Sequence, residues 1–139
     1  MKSLWPESFS ESDVQTPKSI LDVQGSFLGK ITGGIVDAET SELSTFDKNV
    51  HGARSTDFAY DFKLVGRFID NYQFRLFTFW HDIGMYPVNL DIDSPLAKEL
   101  GLQETFKLRN EQELLSFLEV ALKSIRVKTV MSSILSLSK

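Results

Sequence analysis

Only two residues in this chain could exchange protons near neutral pH, His51 and His81. A histidine acts as a general acid or base when a carboxylate orients its ring, and Asp82 follows His81 directly. Adjacent residues at a strand end point to opposite sides, so Asp82 is poorly placed to serve His81. Asp61 is better placed, if the strand that carries it pairs with Asp61 directly across from His81. No nucleophile accompanies either pairing. The His–Asp arrangement reads as one that fixes a hairpin, and the chain is expected not to be an enzyme.

Other chemistries fail on spacing. The chain has no cysteine, which removes thiol chemistry, disulfides and Cys-based zinc sites. Neither histidine stands at metal-ligand spacing beside a second ligand, so no metal is expected. The phosphate-cradling patterns are absent: Gly29-Lys30-Ile31-Thr32 has the wrong order. No cofactor is expected. Lys63, Arg67 and Arg75 interleave with Phe77 and Phe79, as on a base-stacking sheet platform. The RNP1 pattern is missing, however, and 15 basic against 19 acidic residues give a net charge of -4. Nucleic acid is not the expected partner.

The elements that must position these residues show in the periodicity. Residues 1–15 are rich in Ser and Glu without a period and read as a flexible N-terminal arm, on which Trp5 and Phe9 are the apolar groups. A single domain is expected over 16–139. Thr16-Pro17 is a capping hydroxyl followed by proline at the first helical position. Ile20, Gln24, Phe27, Leu28 and Ile31 then mark one helix face, expected to be buried. Gly25, Gly29 and Gly33 recur every four residues, either as a smooth ridge for a close-packed backbone or as the helix end. Ile35–Thr40 reads as an edge strand with Asp37 and Glu39 outward, and 41–56 as a polar loop. Ser94-Pro95 opens a short helix that Gly101 closes. Asn110 with Glu113 resembles a capping box. The stripes Leu114–Ile125 and Val127–Leu135 are rotated about half a turn apart, which predicts a break between Lys123 and Lys128. The basic node there, Lys123, Arg126 and Lys128, reads as a solvated turn or as an anion site at a helix start.

Phe58–Ile92 carries the strongest strand signal, rich in aromatic and β-branched residues and punctuated at Asp70-Asn71 and near His81-Asp82-Ile83-Gly84. Hairpin loops of odd length put Tyr60, Phe62, Leu64, Phe74, Leu76, Thr78, Trp80, Val88, Leu90 and Ile92 on one apolar face. The fold class expected is α+β: an antiparallel meander of three to four strands packed on one face by N- and C-terminal helices.

The same parity sends Phe77, Phe79 and Met85 to the opposite face with Arg67, Gln73, Arg75 and His81. Two phenylalanines beside arginine and methionine have the composition of an interface. A helix covers this face, or it is a homodimer seam, or it binds another protein or a small apolar ligand. These seven residues are the candidate partner-binding set, with Phe77 and Phe79 as anchors and Arg75 and Arg67 fixing orientation.

The composition, 42% hydrophobic and 24% charged, is that of an ordinary globular chain able to bury a core. No stretch reaches the apolar length of a membrane span, and no secretory signal opens the chain. A cytoplasmic location and no membrane partner are expected. The general character, small, acidic and cysteine-free, resembles small bacterial interaction proteins, including immunity proteins that neutralise toxins, without a shared motif. That resemblance implies occlusion of a basic partner, with Asp37, Glu39, Glu42 and Asp47 steering the encounter. The expected function is a non-enzymatic, self-associating protein–protein interaction module, with a homodimer expected. The alternative is a small-ligand-binding domain or minor enzyme with a pocket near Tyr60, His81 and Tyr86.

Overall fold

Local signals place most element ends. In the computed structural model, which describes residues 1–139, the Thr16 hydroxyl accepts from the Ser19 N–H and opens helix α1 (Pro17–Ile31). Gly33 and Gly34, both at positive φ, turn the chain into β1 (Val36–Glu42). The segment 41–56 is not a plain loop. Ser44 accepts from the Asp47 N–H, and Gly52 in the left-handed region closes α2 (Thr45–His51). This helix has no buried residue, so it lacked an apolar stripe to reveal it. Strands β2 (Phe58–Gly66), β3 (Tyr72–His81) and β4 (Val88–Ile92) follow. Asp93 and Gly101 then cap α3 (Ser94–Leu100).

A fifth strand, β5 (Thr105–Leu108), and the helices α4 (Glu111–Leu122) and α5 (Ile125–Leu137) complete the chain. The break between the last two falls at Lys123-Ser124, where the Ser124 hydroxyl accepts from the Val127 N–H. Residues 1–16 are exposed and carry no helix or strand, and Trp5 and Phe9 meet edge to face with 6.2 Å between ring centres.

The architecture is α+β, with one five-stranded antiparallel sheet in the order β1-β2-β3-β4-β5 and five helices. The meander thus has one strand more than expected. β5 spans four residues, too few for alternation to stand out. The main core joins Phe62, Leu64, Phe77, Phe79, Leu90 and Ile92 of the sheet to Ile20 and Leu21 of α1, Leu96 of α3, Leu114 and Leu118 of α4, and Ile134 of α5.

The register of β3 departs from strict alternation. Gly66 faces Tyr72 and Leu64 faces Phe74, so even residues begin on the core side, as loop parity requires. A bulge then intervenes: Lys63 faces Arg75 while Phe62 faces Phe77, which leaves Leu76 as the extra residue. Leu76 and Phe77 are both fully buried in the same core cluster. Beyond the bulge the faces exchange. Phe77 and Phe79 stand with Ile92 and Leu90 on the core side, and Thr78 and Trp80 turn to the outer side.

Candidate functional site

The bulge disperses the residues expected to bind a partner. Phe77 and Phe79 are 0% and 1% exposed and are core residues, not anchors. His81 is buried as well. Its Nδ1 lies 2.7 Å from the Asp82 carbonyl oxygen, and its ring stacks on Phe58 at 5.6 Å. Asp61 faces Thr78 rather than His81, which pairs with Phe58. Met85 leaves the sheet altogether and sits in the β3–β4 turn at φ 73°.

Arg75 and Gln73 do stay on the outer face, but both are engaged. Arg75 Nη1 donates to Thr78 Oγ1 at 3.0 Å and to the Asp91 carbonyl oxygen at 2.9 Å, and Gln73 Oε1 accepts from Lys63 Nζ at 3.2 Å. Arg67 is held by Asp37 at 2.6 Å and by Glu39. The hydrogen bonds it donates, to Asp37 first and then to Glu39, push its pKa up.

The rest of the outer face is a polar network with a small apolar patch beside it. Thr78, fully buried, donates to Asp61 Oδ1 at 2.5 Å. His51, at the end of α2, places Nδ1 2.9 Å from Asp91 Oδ2 and its ring 5.8 Å from that of Trp80. Ala53, Ala59 and Trp80 form a second buried cluster, with Leu43 against it. The segment from Leu43 to Ala53 therefore covers this end of the outer face, where the sequence had left open a terminal helix, a homodimer seam or a bound partner or ligand. No group of three or more His, Asp or Glu side chains could hold a metal ion. The His51–Asp91 contact, with the Trp80 ring beside it, fastens α2 to the sheet.

Tyr60 lines a cavity of about 280 Å³ with Glu42 and Phe58, but His81 and Tyr86, expected to share a pocket with it, line none of the main surface cavities. Burial, and then the charge of Glu42 for Tyr60 and of Glu111 for Tyr86, pushes both phenols above their ordinary pKa, so both stay neutral. The buried Tyr86 hydroxyl has no hydrogen-bond partner in the protein. Tyr86→Phe is therefore expected to keep the stability or raise it by up to about 1 kcal/mol, since an unpaired buried hydroxyl costs about that much. Urea denaturation checks the sign, and a loss of more than about 1 kcal/mol would show that the hydroxyl is bonded.

The basic node at the last helix break is not a free anion site. Glu99 supplies the anion itself: its carboxylate accepts from the Ile125 and Arg126 N–H groups, both at 2.8 Å. Arg126 pairs with Asp93 at 2.7 Å and lies over the Phe74 ring at 5.1 Å.

The surface that stands out is on the helical side. Ile20, Leu21 and Gly25 bury the first half of α1, but Phe27 is 46% and Ile31 79% exposed. They rim a groove of about 210 Å³ between α1 and the α4–α5 junction, lined by Phe27, Leu28, Ile31, Ala38, Phe62, Leu64, Leu122, Val127 and one polar residue, Gln24. Lys30 lies 5.9 Å from the Phe27 ring centre. A second cavity of about 240 Å³ shares Gln24 and Leu122 and extends the groove past Leu115 and Leu118. Periodicity predicted that Phe27 and Ile31 would be buried with the rest of this face, and they are not: a helical stripe reads the same whether or not another element reaches it.

Fold and surface together describe a small α+β domain with an open apolar groove. No protein-family model, no curated protein and no solved structure matches this chain. No helix is long and apolar enough to cross a membrane.

Proposed function

We propose that this protein is a non-enzymatic protein–protein interaction module that receives an apolar side chain of its partner in the groove between α1 and the α4–α5 junction. The observation that carries this reading is the uncovered second half of the α1 stripe. A soluble domain ordinarily buries such a stripe, and contiguous exposed apolar surface marks a binding site more often than chance. The reading takes the N- and C-terminal helices as the cover of one sheet face, with the groove as the gap they leave. Completing the burial of Phe27 and Ile31 is worth on the order of 2–4 kcal/mol to a complex. Lys30 at the rim favours an acidic group beside the inserted side chain. The action is occlusion, as in an immunity-like inhibitor: the domain covers a surface the partner needs.

Both rim residues are exposed, so Phe27→Glu with Ile31→Glu should fold normally. Capture from the native host's lysate with wild-type bait is expected to yield a near-stoichiometric partner that the double variant loses, with matching circular dichroism spectra as the control. The same proteins recovered with both baits would overturn the reading.

A further inference from the structure

The sheet has two edges, and only one is sealed. At β1, helix α1 approaches so closely that a Cβ on Gly25 would stand 2.6 Å from the Ala38 carbonyl oxygen. β5 is the outermost strand on the other side, with none beyond it. The Ile92 N–H donates to the Glu104 carbonyl oxygen at 2.8 Å. Leu90 stands opposite Phe106, and Val88 opposite Leu108. The alternation of an antiparallel ladder then turns the backbone groups of Phe106 and Leu108 toward β4, and those of Thr105 and Lys107 outward. No loop or cap hydrogen bond within the chain takes these outward groups. Beside this edge, between β5 and α4, runs the largest of the main cavities, about 560 Å³, whose apolar lining includes Phe106, Leu108, Phe117 and Val120.

The geometry points to a second copy of this chain as the occupant, with the two β5 strands paired antiparallel across a two-fold axis. Such an interface must be self-complementary, and the register of β5 meets that demand. Only with Thr105 opposite Lys107 of the second copy are all the outward N–H and C=O groups of both strands paired. Setting Lys107 opposite Lys107 would pair fewer groups and bring like charges face to face, which is destabilising. The favoured register keeps the two ammonium groups apart and places Phe106 opposite Phe106 of the second copy, over the apolar cavity. Lysine on an edge strand ordinarily discourages pairing, and here it faces a threonine. This surface is separate from the α1 groove, so either assignment can fail alone.

Sedimentation equilibrium of the full chain over a wide concentration range is expected to show a monomer–dimer equilibrium. Lys107→Pro removes one outward N–H without touching the β4 ladder, a place where an edge strand tolerates proline. It should weaken dimerisation at least tenfold, while Phe27→Glu with Ile31→Glu leaves it unchanged. A second test does not depend on how the proline variant folds. The chain has no cysteine, and a hydrogen-bonded cross-strand pair lies at about 5.5 Å between Cα atoms, within disulfide reach. An equimolar mixture of Thr105→Cys and Lys107→Cys proteins should oxidise to a covalent dimer that neither forms alone. A monomer at every concentration would overturn the assignment, as it would if β5 took a strand of another protein. So would a dimer that shows no cross-link specific to the mixture.

Discussion

Phe77→Ala is expected to lower the stability by about 3–5 kcal/mol, the range for removing a fully buried aromatic ring from a core. Phe77 stacks on Phe62 at 5.2 Å, meets Phe117 edge to face at 5.7 Å, and lies 6.1 Å from Phe79. It faces Ile92 across the sheet. These neighbours come from three strands and from α4, so no single element can move in to fill the space. A loss of this size is a large share of the roughly 5–15 kcal/mol that holds an ordinary domain together. Urea denaturation of wild type and variant measures it. A change below about 1 kcal/mol would mean that Phe77 faces solvent and that the bulge is misplaced. Phe27→Ala provides the contrast: on a half-exposed position it should cost less than about 1 kcal/mol.

The same residue shows where sequence reasoning stopped. Loop parity placed Leu64 and Phe74 correctly, because the residues between Gly66 and Tyr72 are odd in number. Parity cannot see a bulge inside a strand, and one extra residue at Leu76 exchanged the faces of the rest of β3, while Val88, Leu90 and Ile92 of β4 kept the core side expected of them. The run Phe74 to Trp80 gives no internal sign of it, since apolar residues stand at both even and odd positions there. Helix ends were more legible. Thr16, Ser94-Pro95, Gly101, Asn110 and the Lys123 break depend on contacts within a few residues, which sequence displays directly. The groove depended on how far α4 and α5 reach toward α1, a tertiary distance that no local pattern encodes. α2 escaped notice for a related reason: His51 and Trp80, distant in sequence, hold it to the sheet.

Gly25→Ala is expected to destabilise the protein by up to about 2 kcal/mol, although the same change in a free helix would stabilise it by about 1 kcal/mol. The added Cβ would meet the Ala38 carbonyl oxygen at 2.6 Å and its carbon at 3.3 Å. Both are backbone atoms of a strand fixed in register against β2, so the contact cannot be relieved by rotating a side chain. Either α1 lifts from β1 or the strand shifts, and overpacking of this kind costs about 1–3 kcal/mol, which exceeds the helix gain over most of its range.

Gly29→Ala supplies the opposing case one turn on. Its Cβ would meet Asp37 Oδ1 at 2.6 Å, the end of a side chain that can turn away. Turning gives up the contact of Asp37 with Arg67, an exposed, solvent-screened pair that adds little to stability, which the helix gain offsets. Thermal denaturation should therefore show Gly29→Ala within a degree or two of wild type, and Gly25→Ala several degrees lower. If Gly25→Ala instead raised the melting temperature, α1 would not lie against the β1 backbone. β1 would then be a second open edge, and β5 would no longer be the one edge of the sheet left for a second copy to pair with.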